Sequence, residues 1–160
     1  MLWLIIVGAI LIAVVWPLIL LLGGPLWRDL RLLDAIEREG GEVVLDATEG
    51  GERTLPLPAD RRALADDPLE EVVRIHFDGI PDAFRRPNSE LYRWLRRELA
   101  GREVRGIVFR RHPWCDIWHA EAPRVREWAG VPVLEIDPTG EAGEETSIAG
   151  KVASFLESLR

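Results

Sequence analysis

His112, Cys115 and His119 fall within the stretch 106–121, GIVFRRHPWCDIWHAE. One thiol and two imidazoles at spacings of three and four are side chains that ligate metal ions. Cys115 is the only cysteine of the chain, and Trp114 and Trp118 flank it. The stretch opens as an apolar strand at 106–109, turns polar at Arg110 and Arg111, is broken at Pro113 and resumes as a helix from Asp116. Strand, polar turn and helix start is where an α/β protein places its ligands. Three readings of the turn stand side by side. Cys115 and the tryptophans pack as core, as lone cysteines and indoles often do. Alternatively, His112, Cys115 and His119 form a local zinc site, with Asp116 or water as the fourth ligand. In the third reading, Cys115 gives one thiolate to an iron–sulfur cluster whose other ligands come from another chain, since such clusters take several cysteines. No residue is assigned a catalytic role.

Other residues could meet an anion. Arg110 and Arg111 directly follow the strand, and Gly23-Gly24 could approach a phosphate closely after an apolar run. Arg85 and Arg86 precede a proline in an irregular stretch, where a salt bridge to the core competes with a carboxylate or phosphate contact. His76 ends a short helix and reads as structural or solvated.

The elements that must position these residues alternate. An apolar run at 18–22 ends in Gly23-Gly24-Pro25, the pattern of a strand buried on both faces. Residues 26–39 carry Leu26, Leu30, Leu33 and Ile36 at helical spacing and stop at Gly40-Gly41. A second strand follows at 42–46. Residues 47–67 read as a long connection, and Pro68 starts a short helix over 69–76 with Asp67 as its cap. Residues 77–87 read as irregular. Asn88 is expected to cap a helix to about residue 100, followed by a strand at 104–109, a helix at 116–129, a strand at 131–137 and a helix at 144–159. Four strands alternating with helices predict an α/β domain with a doubly wound four-stranded parallel sheet, flavodoxin- or Rossmann-like, preceded by an apolar N-terminal segment. Its ligand crevice is expected beyond the carboxyl ends of the strands, with Gly23-Gly24 and Arg110 to Trp118 at its rim.

The 160 residues suit one domain with an appendage, and a formal charge of -7 argues against nucleic acid as a partner. Residues 1–22 carry no charge and are long enough to cross a bilayer. The first basic residues, Arg28 and Arg31, follow this run, which orients an anchor with the domain on the cytoplasmic side. The expected division is an apolar segment and possible membrane anchor at 1–17 and an α/β domain at 18–160, with membrane contact through residues 1–22. The rival readings make 17–22 the first buried strand, with only 1–16 extra, or place a misassigned start upstream of a domain fragment.

Several motifs carry a resemblance. They are the strand-then-CDIW turn (residues 106–109 and 115–118) with Glu121 following, GVPVLEID at 130–137, VASFLESL at 152–159 and LLDAIEREGGEVVLD at 32–46. In these, the chain from about residue 18 onward resembles the C-terminal domain of the 2-hydroxyacyl-CoA dehydratase family, which includes benzoyl-CoA reductase-type subunits. The resemblance implies that Cys115 is a ligand of a 4Fe-4S cluster. It also implies a second dehydratase-type subunit, an ATP-dependent activator protein that injects an electron, and an acyl-CoA substrate. The cluster passes the electron to the thioester, for loss of water from a 2-hydroxyacyl-CoA or for reduction of an aromatic ring.

The family's N-terminal domain, with the other cluster cysteines, has no counterpart in the 160 residues. The family's Gln-x-x-Thr-Arg stretch corresponds to residues 147–151, where only the basic Lys151 matches. Two functions follow. One is a dehydratase-like lyase component completed by cysteines of a partner. The other is a cluster-free, membrane-tethered binding domain that keeps the fold without the chemistry.

Overall fold

The computed structural model describes residues 16–26, 30–141 and 143–160. Four parallel strands form one sheet: β1 (Leu18–Gly23), β2 (Glu42–Ala47), β3 (Gly106–Arg110) and β4 (Val133–Ile136), in the spatial order β2-β1-β3-β4. The helices are α1 (Arg31–Arg38), α2 (Arg61–Asp66), α3 (Pro68–Val73), α4 (Ser89–Leu99), α5 (Asp116–Ala129) and α6 (Glu144–Ser158). This is the doubly wound parallel architecture expected from the alternation of elements. The strand order reverses between β1 and β3.

Alternation along β1 shows how one strand serves two cores. Leu20 and Leu22 face Ile107 and Phe109 of β3, Leu91, Tyr92 and Leu95 of α4, and Trp118, Ala122 and Val125 of α5. Ile19 and Leu21 face the other way, toward Leu32 and Ile36 of α1 and Val152, Leu156 and Leu159 of α6. All four of these β1 side chains are fully buried, and each contributes about 1.5–3 kcal/mol by leaving water. An uninterrupted apolar run is what a strand covered on both faces requires.

That burial corrects one expectation. Residues 18–22 lie in an interior strand of the sheet and are covered by protein, so the membrane contact expected through residues 1–22 does not extend to them. The part of that expectation resting on 1–15 lies outside the described residues. No helix among the described residues is long and apolar enough to cross a membrane.

Other boundaries also moved. The helix expected at 26–39 spans Arg31–Arg38, and Leu30 before it is not helical. The connection at 47–67 contains α2, whose N-terminus is capped by Asp60 accepting from the backbone N–H groups of Arg62 and Ala63. Asp67 caps α3 as expected, and a π-helical turn at Arg74–Asp78 extends that helix. Asn88 does precede α4 but makes no capping bond. Its amide instead donates to Glu121 of α5, and its carbonyl accepts from Arg124 at 2.6 Å. Tertiary partners outcompeted the local cap.

Candidate functional site

The reversal of strand order sets a crevice at the carboxyl ends of β1 and β3, and four of the residues singled out above meet there or beside it. Gly23 has φ +128°, and a Cβ on it would lie 1.8 Å from the Arg110 carbonyl oxygen. The Gly24 N–H donates to that oxygen at 3.2 Å. The glycine pair therefore lets the chain leave β1 pressed against the end of β3, which accounts for glycine at position 23 by backbone approach. A Cβ on Gly24 would sit 3.8 Å from Arg110 Nη1 and 3.8 Å from Trp118 Cδ1, so the glycine, the guanidinium and the indole converge.

Arg110 also lines a cavity of about 460 Å³ between α1 and the start of α6. Five carboxylates (Asp34, Glu39, Glu141, Glu144, Glu145) and three guanidiniums (Arg31, Arg38, Arg110) line it. The Glu144 carboxylate is itself held there by the N–H groups of Thr139 and Gly140, at 2.6 and 2.7 Å. The Thr139 N–H is the chief reason its carboxyl titrates below the ordinary range.

Arg111 turns away from the crevice. Its Nε and Nη2 donate to the two carboxylate oxygens of Asp137, each at 2.7 Å, and Nη1 lies 2.8 Å from Glu135. Its guanidinium also sits 5.5 Å from the Phe109 ring centroid. With two carboxylates of the β4 edge on it, Arg111 ties β4 to β3.

The turn from residue 111 to 115 is closed by the Cys115 N–H donating to the His112 carbonyl at 2.9 Å. Cys115 occupies the N-cap position of α5 without capping it, and its thiol is free and half-buried. Trp114 projects into solvent and is 87% exposed, whereas Trp118, one turn into the helix, is buried. His119 Nε2 lies 3.2 Å from the His112 backbone carbonyl. Among the described residues there is no group of three His, Cys, Asp or Glu side chains arranged to hold a metal ion. The turn thus offers one reachable thiol at the carboxyl edge of the sheet. That donor fits a single position of an iron–sulfur cluster and leaves the remaining positions to other cysteines.

Glu121 is buried on the α5 face toward α4, where it accepts from Tyr92 Oη at 2.7 Å and from Asn88. Burial first, and then the Glu121 carboxylate, push the Tyr92 phenol above its ordinary value. Arg124, 3.7 Å from Glu121, supplies the opposing charge and lies over the Tyr92 ring. This cluster locks α5, and with it the Cys115 turn, onto α4.

The central polar residue of the edge was not anticipated. Arg53, from a 3₁₀ turn at Glu52–Thr54, is 1% exposed. Its guanidinium donates to the carbonyls of Ala47 at 2.9 Å, Gly23 at 3.3 Å and Pro81 at 3.4 Å, and pairs with Asp82. It lies 5.4 Å from the Trp118 ring centroid, and Trp118 meets Phe109 edge-on at 5.8 Å. One side chain thus joins the ends of β1 and β2, the 81–82 loop and the first turn of α5. A single arginine in a Gly- and Thr-containing connection carries no periodic or motif signal that marks it as buried.

Residues 16–159 match the family described as 2-hydroxyglutaryl-CoA dehydratase, D-component. The chain belongs to this family. The match spans every strand and helix of the described fold and includes Cys115, Glu121 and Arg53. It bears out, at the level of the family, the resemblance drawn from the CDIW turn and the GVPVLEID strand. None of the individually curated proteins matches the chain. As a member of the D-component family, the chain is a 2-hydroxyacyl-CoA dehydratase-like component.

Proposed function

We propose that this dehydratase-like component supplies Cys115 as one thiolate ligand of a 4Fe-4S cluster completed by cysteines of a partner subunit. The acyl-CoA thioester would be processed at that shared site. The observation that carries the reading is the placement of the chain's single cysteine. It is a free, half-buried thiol at the start of α5, on the carboxyl side of β3 where doubly wound sheets hold their ligands. When bound, such a cluster supplies single electrons to the thioester, and an ATP-dependent activator protein would reload it.

This chain's own residues do the positioning. Trp118, clamped between Phe109 and Arg53, and Glu121, held by Tyr92 and Asn88, fix the first two turns of α5 and so the direction of Cys115. Arg110 stands beside Gly24 at the same edge, and its guanidinium would meet a carboxylate or phosphate of the substrate there.

The single thiol also favours a second reading, a binding domain that keeps the fold and holds no cluster. The two separate on iron and acid-labile sulfide, measured anaerobically on the chain alone and on the chain recovered with its native partners. The first reading expects iron and sulfide only in the partnered sample. Iron in neither sample rejects it and leaves the binding domain.

A further inference from the structure

Residues 55–80 form an arm in which α2 and α3 pack chiefly on each other and on the π-helical turn at Arg74–Asp78. Among the described residues of this stretch only Glu71 is buried. Its carboxylate accepts from the Asp60 N–H at 2.5 Å and from Arg74 Nε and Nη2, each at 2.7 Å. Arg74 Nη2 also donates to the Pro58 carbonyl at 2.9 Å, and the Leu57 N–H donates to the Ile75 carbonyl at 2.9 Å. The polar face of α3 and its extension is thus turned inward, onto residues 57–60.

The opposite face is apolar and wet. Leu69, Val72, Val73 and Phe77 follow one another at spacings of three, one and four, which gathers them on one side of the helix, around His76. They are 74, 41, 45 and 67% exposed, and Leu64 of the adjoining α2 is 41% exposed. An amphipathic helix ordinarily turns such a stripe to a core and its charges to water. Here the two are exchanged. These five side chains leave roughly 500 Å² of apolar surface in water, near the upper end of the about 300–600 Å² of a monomer's largest patch. α2 and α3 have six residues each, well short of the about 12–15 at which a lone helix becomes even marginal. The arm gains from being covered.

The charges say by what. α2 opens with Arg61 and Arg62 and closes with Asp66, and Asp67 and Glu70 follow. All five are exposed, and among the described residues none of them makes an ion pair. Basic residues in the first turn and an acid in the last are the reverse of what the dipole of α2 favours. A second copy related by a two-fold axis across the stripe answers both features. Stripe meets stripe, and the basic end of each arm meets the acidic end of the other, the reciprocal fit that an isologous contact demands. With these charged flanks added, the face approaches the about 800 Å² per partner of a standard interface.

We infer that the 55–80 arm is a dimerisation surface whose partner is a second copy of this chain. Dimerisation needs neither iron nor another subunit, so its failure leaves the Cys115 reading untouched.

The test is sedimentation velocity on the full chain across a dilution series at constant salt, where a dimer that dissociates on dilution is expected. Arg61→Glu/Arg62→Glu and, separately, Asp66→Arg/Glu70→Arg put like charges across the axis and are each expected to weaken the dimer by about tenfold or more. The first pair suits the dipole of α2 itself, so loss of the dimer there is not loss of the helix. Mixing the two reversed variants is expected to restore wild-type affinity, because every reversed charge then faces its opposite. Leu69→Ser/Val73→Ser, on the exposed stripe, is expected to weaken the dimer by about tenfold or more. Arg96→Glu on α4, outside the arm, is expected to leave it unchanged. The inference is overturned by a chain that sediments as a monomer throughout, or by self-association indifferent to the arm variants. A mixture no tighter than either reversed variant alone, or equal weakening in Arg96→Glu, also overturns it. Capture of a different subunit by the arm of a monomeric chain gives the stripe another occupant and overturns it too.

Discussion

Replacing Arg53 by leucine should cost more than any other single substitution at the carboxyl edge. The guanidinium is buried, and removing it leaves the Asp82 carboxylate without its partner and the carbonyls of Ala47 and Gly23 without a side-chain donor. Breaking a buried ion pair by deleting one member costs about 3–5 kcal/mol, because a charge is left behind out of water. The lost carbonyl contacts overlap with that figure and are not added to it. The Asp82 side chain retains 14% exposure, so some solvation returns and the lower half of the range applies, about 3–4 kcal/mol. Against a typical total of about 5–15 kcal/mol this is a large fraction, and it corresponds to a fall in Tm of about 6–16 °C for a domain of this size.

Urea and thermal unfolding of the wild type, Arg53→Leu, Asp82→Leu and the double variant read it directly. The double variant should recover at least about 1 kcal/mol relative to the sum of the singles, since no unpaired charge remains. Arg53→Lys should rescue only partly, because an ammonium lacks the planar fork that reaches the Gly23, Ala47 and Pro81 carbonyls and Asp82 together. A loss below about 1 kcal/mol for Arg53→Leu, or a double variant no better than additive, refutes the assignment of Arg53 as the tie of this edge.

Two further outcomes follow from the same edge and from α3. Gly23→Ala should destabilise by about 2 kcal/mol or more, because φ +128° is strained for any L side chain and the new Cβ meets the Arg110 carbonyl at 1.8 Å; a denaturation midpoint equal to wild type would contradict this. Arg74, and then the Asp60 N–H, hold the Glu71 carboxyl at about 2 against an ordinary 4.5. A carboxyl depressed in the folded state stabilises fully above its unfolded value. That contribution should therefore be lost as pH falls from about 4.5 toward about 2. Stability measured against pH should show this acid limb in wild type and a flatter one in Glu71→Gln; superimposable curves would remove Glu71 as its source.

The sheet was legible because its strands are extreme in composition. Residues 18–22 and 106–109 are continuous apolar runs closed by glycine or arginine, and such runs have one stable place in an α/β chain. Gly130, with φ +64°, ends α5 where its position in the sequence marked a stop. Long-range partners were not legible. Asn88 looked like a cap and became a bridge to Glu121 and Arg124, thirty-three and thirty-six residues away. α2 was missed because it buries no side chain, so no apolar periodicity marks it, and Asp60 as its cap was the only local signal. Of the site, the Cys115 turn was visible as a cluster of rare residue types after a strand. Its support was not, because Arg53 reaches Asp82 across twenty-nine residues and Trp118 through space.

The account stands on Cys115, and the most direct measurement is iron content and visible absorption of the anaerobically isolated partnered complex, wild type beside Cys115→Ala. The account predicts cluster absorption and iron in the wild type, with both lost or sharply reduced in the variant while the partner still co-purifies. Equal iron and identical spectra in the two complexes would contradict it.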